Sequence, residues 1–290
     1  QTIIEIDVEE QSTGSLSFGV GYSSIDKSSV SLGIDEKNFL GTGRAVSFGA
    51  KVSNSKSNFN LSLTEPFFLN RNLSASTNIF QNKTEGTSVT VDKRGVGFGL
   101  GFRAANDIYH RLAYNLIESK TDETSSSSSS STGENGEKLL SSAVSYRLGI
   151  EKRDNRFDPS DGYFAEISET FSGIGGDVTY LQTVLRGAYY TPISFERFVL
   201  GTRLETGHVS GLGDDVMQSN RFLLGGNKVR GFNGSGIGPR DKTSDGAVGG
   251  NQYYAGSFDV ISNAGLNPDL GMRWTLFADY GSAWGTDFPE

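Results

Sequence analysis

One stretch of this chain decides its fold, and it reads Gly95-Val96-Gly97-Phe98-Gly99-Leu100-Gly101-Phe102. Because successive side chains of a β-strand point to opposite faces, a period of two predicts a strand with one apolar face. A phosphate-binding glycine loop is not indicated, since the alternation is strict and no turn and helix follow it. The stretch therefore predicts a β-strand with one apolar face and a second face that consists of glycine and carries no side chains.

The same period of two recurs over most of the chain, in segments of about 9–13 residues. This length exceeds that of ordinary soluble strands and matches the ~9–11 residues that cross a bilayer at a tilt. A soluble sandwich would alternate in the same way, but the second face here carries Ser, Gly, Thr, Asn and charges, a poor soluble core. We therefore predict an all-β, antiparallel transmembrane barrel over residues 14–290. Its strands begin near residues 14, 28, 43, 57, 71, 91, 108, 139, 161, 176, 196, 251 and 271.

The connections between these segments alternate in length, which is a third feature that favours a membrane barrel. Short connections rich in turn-forming residues lie near 38–43, 65–70 and 154–159. Long ones lie near 83–92, 119–138 and 208–250, and bacterial barrels place longer loops outside the cell and shorter turns in the periplasm. The second long connection contains a serine run at 125–131, which predicts an exposed loop. The third is the longest, and ordered loops of that length usually have a function.

Composition excludes several functional classes. The chain has 290 residues, 38 glycines, a hydrophobic share of 35%, no cysteine and a net charge of −8. The charge argues against a nucleic-acid surface. No apolar run approaches the ~20 residues of a spanning helix. His110 and His208 lie far apart in sequence, and no serine stands in a G-x-S-x-G elbow. We therefore predict neither an enzyme nor a metal or cofactor site.

Thirteen strands is an odd number, whereas bacterial single-chain barrels normally have an even one. The chain also opens at Gln1 without a signal peptide. Both observations predict a mature fragment whose barrel is not closed.

One constellation joins the long loop to the last two predicted strands. The loop contains Gly225-Gly226-Asn227-Lys228-Val229-Arg230-Gly231-Phe232, and the last strand contains Phe277-Ala278-Asp279-Tyr280-Gly281. The alternation places Asp279, and Asp259 one strand earlier, on the inner face. An arginine folded into the lumen could bind these carboxylates through bidentate, charge-assisted hydrogen bonds. A solvated loop charge is the alternative for Arg230, and the residues alone leave both open.

Two of these motifs resemble a known family. Val229-Arg230-Gly231-Phe232 is similar to the V-R-G-[FY] motif of the outer-membrane assembly and secretion transporter superfamily. Phe277-Ala278-Asp279-Tyr280-Gly281 resembles the F-x-D-x-G strand motif of the same superfamily. The resemblance implies that Arg230 packs against Asp279 inside the barrel. It also implies a second acidic partner one strand earlier, usually Glu in the family, at the place that Asp259 occupies.

Further stretches point to the assembly-factor branch of this superfamily. They are Gly14-Ser15-Leu16-Ser17-Phe18-Gly19-Val20-Gly21-Tyr22, Thr64-Glu65-Pro66-Phe67-Phe68 and Arg153-Asp154-Asn155-Arg156-Phe157-Asp158-Pro159. The resemblance implies that residues 1–13 form the last strand of the final periplasmic POTRA domain. It also implies a family barrel of sixteen strands, of which the final three are absent.

The resemblance further implies a function in the bacterial outer membrane. Members of this branch fold and insert other β-barrel proteins through a lateral gate between their first and last strands. The implied partners are the bilayer, unfolded outer-membrane β-barrel proteins and the lipoproteins of the barrel-assembly (BAM) complex. The first strand would supply one side of the gate through Gly14, Leu16, Phe18, Gly19, Val20, Gly21 and Tyr22.

Three alternatives remain open from the sequence. A two-partner secretion pore shares both motifs but exports one passenger protein. A TamA-like translocation factor is the second alternative, and it is closer to the assembly-factor branch than the secretion pore is. A passive porin is a different class and would conduct ions without affecting barrel assembly.

Overall fold

The computed structural model describes residues 11–23, 27–85, 89–123, 136–193, 198–242, 245–262 and 272–287. In these ranges the regular structure consists of thirteen β-strands and three short 3-10 turns. Each strand begins within four residues of its predicted start. The strands are β1 (Gly14–Ser23), β2 (Lys27–Glu36), β3 (Ala45–Ser53), β4 (Lys56–Glu65), β5 (Leu73–Glu85), β6 (Val89–Arg103), β7 (Ile108–Glu123), β8 (Lys138–Glu151), β9 (Gly162–Gly176), β10 (Tyr180–Ile193), β11 (Phe198–Gly211), β12 (Gln252–Ser262) and β13 (Trp274–Trp284).

All thirteen strands belong to one sheet. Each strand pairs antiparallel with the next one in the chain, so the order in the sheet is the order in the sequence. An up-and-down sheet of this kind needs only hairpin connections, which is why turn-forming residues recur between the alternating segments. The predicted fold class and strand count are confirmed.

The two faces of the sheet differ as the alternation predicts. On β1 the apolar side chains all point to one face and are at least 70% exposed, whereas Ser and Gly occupy the other face. We call the apolar side the outer face. The inner face carries the connection between β11 and β12, residues 212–251, which packs against the last strands.

The predicted long connection at 83–92 is wrong. Strand β5 continues to Glu85 and β6 starts at Val89, so only residues 86–88 separate them. Residues in this hairpin are polar, but their backbones still pair, as in Lys83 with Asp92. A strand can leave its apolar band and continue into water because its ladder of backbone hydrogen bonds does not depend on side-chain polarity. Of the three predicted long connections, the one between β7 and β8 and the one between β11 and β12 remain, the latter at 212–251.

The loop 212–251 forms the main buried cluster of the described chain. Strand β11 runs to Gly211, so the predicted loop start at 208 is also corrected. Isolated bridges such as Leu224 with Ile237 give the loop internal order. Its apolar side chains pack against inner-face residues of β12 and β13 where the alternation places small or aromatic groups. The cluster consists of Leu224, Val229, Tyr253, Ala255 and Ala283.

Two predictions fall outside the described residues. These are the POTRA strand, of which residues 1–10 are not described, and the serine run at 125–131. Within the described ranges, no helix is long and apolar enough to cross a membrane.

Candidate functional site: the lumenal loop latch

The turn that presents Arg230 is built from glycines with positive φ. Gly225 has φ 138°, and a Cβ there would collide with the carbonyl oxygen of Asn233. Gly231 has φ 92°, in the region that favours glycine. The amide of Gly226 donates to the carbonyl of Phe232 at 3.0 Å and closes the turn. The sequence Gly-Gly-x-x-Val-Arg-Gly therefore encodes a compact loop tip.

Arg230 binds Asp279 through three donors. Its backbone N–H and its Nε donate to Oδ2 at 2.8 and 2.7 Å, and its Nη2 donates to Oδ1 at 2.6 Å. The Asp279 side chain is 4% exposed and the Arg230 side chain 29%, so the carboxylate is shielded from bulk water and the guanidinium is partly open to it. The hydrogen bonds and charge of Asp279, joined by those of Asp259, raise the pKa of the Arg230 guanidinium above its ordinary value. Such bidentate geometry fixes both position and orientation.

Asp259 is the second carboxylate on the same guanidinium. Arg230 Nη2, which also donates to Asp279, lies 2.7 Å from both Asp259 Oδ1 and Ser257 Oγ, so its two N–H groups are shared among three acceptors. From the opposite side, Arg203 Nη2 donates to Asp259 Oδ2 at 2.9 Å. The register explains this grouping: Ser257 stands opposite both Asp279 on β13 and Arg203 on β11. The shorter Asp side chain thus reaches the loop arginine.

Phe277 is the aromatic residue of the site. The Arg230 guanidinium carbon lies 3.6 Å from the centroid of the Phe277 ring, in a cation–π arrangement. We call Arg230, Asp279, Asp259, Ser257 and Phe277 the latch. It holds a loop cation against two buried carboxylates and one aromatic face on the inner wall.

The other residues of the two motifs have different places. Val229 is buried in the loop cluster, and a Cβ on Gly281 would lie 3.0 Å from its side chain and 2.9 Å from the Tyr254 carbonyl. Gly281 therefore allows the loop to approach β13 closely. Phe232 is half exposed and is not among the residues that contact the guanidinium.

A second polar contact, missed by the sequence analysis, holds the same loop. Lys228 Nζ lies 2.8 Å from Glu205 Oε1 on β11, 3.1 Å from the Tyr253 hydroxyl and 4.3 Å from the centre of its ring. Tyr253 also donates to Glu205. Arg186 approaches the same carboxylate at 3.5 Å. The alternation of β11 places Glu205 on the inner face, and this was the signal in the sequence that could have identified it.

The base of the loop is held by Arg221, whose side chain is fully buried. It donates to the carbonyl of Val216 at 2.6 and 3.0 Å and to the Thr286 hydroxyl at 2.9 Å. Asp287 accepts from the Val216 amide at 2.9 Å. This end of the loop is therefore tied to the segment that follows β13, and no sequence motif marked it.

The predicted gate residues lie on β1, at the opposite end of the strand order from the latch. Leu16, Phe18, Val20 and Tyr22 project from the outer face. On the inner face, Gly19 and Gly21 stand opposite Ser31 and Ser29 of β2. Among the described strands, β1 pairs only with β2. The structure therefore does not bring the gate residues into contact with the latch.

The two histidines lie on different strands, His110 on β7 and His208 on β11. His110 Nδ1 lies 2.7 Å from the Tyr146 hydroxyl, and its ring stacks on Phe102. In the part of the chain that the structure describes, no group of three or more His, Cys, Asp or Glu side chains could hold a metal ion.

An up-and-down sheet with an apolar outer face and a latched inner loop defines a transmembrane β-barrel of the outer-membrane class. The Omp85 superfamily domain matches residues 38–290, and the chain belongs to that superfamily. It is a β-barrel protein of the bacterial outer membrane.

Comparisons with individual proteins agree with this assignment. The outer membrane protein assembly factor BamA of Neorickettsia risticii (strain Illinois) is 29% identical over 98% of the chain, which spans 39% of that relative. The crystal structure of Haemophilus ducreyi BamA lacking POTRA domains 1–3 has a TM-score of 0.83 at 23% identity, over 96% of this chain and 59% of that one. CdiB from Acinetobacter baumannii has a TM-score of 0.58 at 14% identity, over 94% and 49%.

Proposed function

We propose that the protein containing this chain folds and inserts β-barrel proteins into the outer membrane, and the name of its BamA relatives, outer membrane protein assembly factor, supports the proposal. The observation that carries the proposal is strand β1. It lies at the edge of the described sheet and presents a continuous apolar outer face beside an inner face of Ser and Gly. The backbone of such a strand can template an incoming strand through main-chain hydrogen bonds.

The composition of β1 supports a lateral gate. Cross-strand side-chain contacts contribute much of the stability of a sheet, and glycine contributes none. On the inner face of the β1–β2 pair the partners are small, as in Ser17 with Gly33 and Gly19 with Ser31. On the outer face of the same pair Phe18 stands opposite Leu32, so β1 keeps apolar contacts with β2, whereas Gly19 and Gly21 offer no side chain to a strand on its other edge. A locally thinned bilayer at the seam would lower the insertion barrier further.

The latch has a complementary role in the proposal. It fixes the loop 212–251 on β12 and β13, so this wall stays ordered while the β1 edge opens. Insertion needs no covalent chemistry, and we therefore propose neither an enzymatic activity nor a cofactor. The proposed partners are unfolded outer-membrane β-barrel proteins, the bilayer and the lipoproteins of the BAM complex.

Site-specific photocrosslinking tests the gate in the full-length protein. A photoreactive phenylalanine analogue at Phe18 on β1 is compared with the same analogue at Leu61, which projects from the outer face of β4 but has a neighbour on both sides. We expect nascent barrel proteins to crosslink at position 18 and not at position 61. Equal crosslinking at both positions, or none at position 18 while barrels assemble normally, would contradict the gate.

The latch is tested in cells by Arg230→Ala and Asp279→Ala. We expect both variants to lower the yield of folded outer-membrane barrels, with Lys83→Ala, at an exposed ion pair on β5, as the matched control. Wild-type barrel yields with wild-type stability in both latch variants would contradict the role proposed for the latch.

Two-partner secretion is the second candidate, and the likeness of the fold to CdiB favours it. The lower TM-score of that comparison, 0.58 against 0.83, makes it the weaker one. A secretion pore would lose the export of one passenger protein on Arg230→Ala, whereas the yields of all other barrels would stay unchanged. A loss across many barrels selects the assembly function.

A further inference from the structure

Two turns at the same end of the sheet have the same geometry. The 3-10 turns Phe39–Gly41, between β2 and β3, and Phe68–Asn70, between β4 and β5, each place a leucine second. Leu40 has φ 53° and ψ 30°, and Leu69 has φ 58° and ψ 29°. Both turns close with equivalent backbone hydrogen bonds, including Gly41 to Asn38 at 3.0 Å and Asn70 to Phe67 at 2.9 Å.

An outward-facing carboxylate holds each turn in the same way. Glu36 Oε1 accepts from the Asn38 amide at 2.8 Å, and Glu65 Oε1 accepts from the Phe67 amide at 3.2 Å. Glu65 is held in turn by Arg44 Nε at 2.7 Å. Both turns are therefore rigidly built rather than loosely closed.

The two leucines combine two unfavourable features. A left-handed backbone is strained for a residue with a branched apolar side chain, and glycine or asparagine would fit it better. Leu40 is 83% exposed and Leu69 is 70% exposed, so neither gains from packing within the chain. Strain and exposure repeated at equivalent positions indicate that something outside the chain covers both side chains.

The turns are continuous with the membrane-facing surface. A groove of about 790 Å³ on the outer face is lined by Phe67, Phe68 and Leu69 together with the outer-face residues Leu63 and Phe98. Apolar side chains of the β4–β5 turn thus extend the surface that meets the acyl chains. The Arg44–Glu65 pair borders the same groove and supplies one charge of each sign.

Outer-face residues near these turns are of the kind found at a membrane interface. Phe102, at the end of β6, stacks on His110, which binds the Tyr146 hydroxyl. Aromatic groups with one polar end are typical of the boundary between headgroups and acyl chains. The turns belong to the end of the sheet opposite the origin of the long loop 212–251, which is the periplasmic end in outer-membrane barrels.

We propose that the turns at residues 38–42 and 67–71 are wedges that enter the interface of the periplasmic leaflet. Leu40 and Leu69 enter the acyl region, and the Arg44–Glu65 pair meets zwitterionic phospholipid headgroups. The occupant of the groove is a phospholipid of this leaflet. Both wedges lie within the first five strands, so they anchor the wall that carries the proposed gate, but they do not depend on the assembly function.

Single-cysteine labelling tests the proposal, since the chain has no native cysteine. Leu40→Cys and Leu69→Cys are labelled with an environment-sensitive fluorophore in the full-length protein, in vesicles of phosphatidylethanolamine and phosphatidylglycerol. Asn54→Cys, an exposed position in the two-residue hairpin at the opposite end, is the matched control. We expect quenching by nitroxide-labelled lipid at 40 and 69, and iodide quenching about tenfold weaker there than at 54.

A second reporter separates wedge insertion from a simple folding effect. A fluorophore on Thr42→Cys reports the iodide access of the first turn while Leu40 is still present. When Leu40→Asn and Leu69→Asn are added to Thr42→Cys, the fluorophore at position 42 should become more accessible to iodide. Asparagine suits a left-handed backbone, so the barrel should stay folded, which its heat-dependent mobility on gels would show. Iodide access at 40 and 69 equal to that at 54 would overturn the proposal. Protection from iodide without quenching by labelled lipid would also overturn it, and would indicate a protein partner instead.

Discussion

The first and last walls of this sheet are built from the same alternation but stabilised differently. In the described residues of β1 to β5 no side chain is buried, and the inner face carries small polar groups. In β11 to β13 the inner face is covered by the loop 212–251 and includes buried residues such as Tyr253 and Asp259. The latch and the loop cluster therefore concentrate tertiary contacts on one wall only.

The two walls therefore differ in the free energy that is needed to open them. A region with few buried apolar contacts opens at lower free energy than a packed one. The β1 wall relies on backbone pairing and the surrounding bilayer, whereas the β13 wall adds ion pairs and an apolar cluster. The asymmetry suits a barrel that opens at one edge and stays ordered at the other, and it leads to four testable predictions.

The largest expected effect is loss of the latch arginine. Arg230→Ala leaves Asp279 and Asp259 buried without their main cationic partner, which should lower the free energy of unfolding by about 3 kcal/mol. Both tryptophans of the chain lie on β13, so tryptophan fluorescence during urea unfolding in vesicles reports on this wall.

The matched control is Lys83→Ala on the first wall, where the ion pair with Glu85 is exposed and no measurable loss of stability is expected. Equal destabilisation by the two variants would break the contrast between the walls.

A glycine pair tests the packing part of the contrast. Gly281→Ala places a methyl group against the Tyr254 carbonyl and the Val229 side chain, and should cost about 1–3 kcal/mol. Gly49→Ala on β3 meets no atom within 4 Å and should be nearly neutral. Protease access to the loop 212–251 should rise only in the first variant. Unchanged access there would show that the close approach is not needed.

A smaller effect is expected at the second polar contact. Glu205→Gln keeps the shape of the side chain but removes its charge opposite Lys228, and should lower stability by about 1 kcal/mol. The rate of loop proteolysis, measured beside Lys138→Met at an exposed pair on β8, checks this. A loop that is cleaved no faster than in the Lys138 variant would assign the anchoring to the latch alone.

The smallest effect concerns the turn between β8 and β9. Hydrogen bonds from the Ser160 hydroxyl and nearby amides lower the pKa of Asp154 from 3.8 to about 2. Because the folded pKa is depressed, the contribution of this carboxylate is complete above pH 4 and is lost as pH falls towards 2. The protection factors of the Ser160 and Asp161 amides, which compare the exchange rate with the intrinsic rate at the same pH, should therefore fall in that range. Asp154→Asn should abolish this pH dependence, and a flat profile in the unaltered protein would refute it.

Much of the architecture could be predicted because it depends on local alternation. Thirteen strand starts were predicted to within four residues, and the parity argument placed Asp279 and Asp259 on the inner face. The error at 83–92 arose because polar residues were read as a loop. Backbone pairing across the β5–β6 hairpin continues there, and side-chain polarity does not report it.

The site was predicted only in part. The motifs indicated Arg230 with its two carboxylates, but Arg203, Lys228 and Arg221 were missed. Each of these contacts depends on the register between strands or on the path of a loop through the barrel. Such distances cannot be read from separations of some 20 to 70 residues in the sequence.

The period of two is a property of the amino-acid sequence alone, and it predicts an all-β sheet with an apolar and a polar face. That follows because strand side chains alternate whatever their neighbours are. Only the tertiary structure decided which inward charges meet: it set Arg230 between Asp279 and Asp259 and left Phe232 apart. Strand register and loop path set these distances, and both are properties of the assembled sheet.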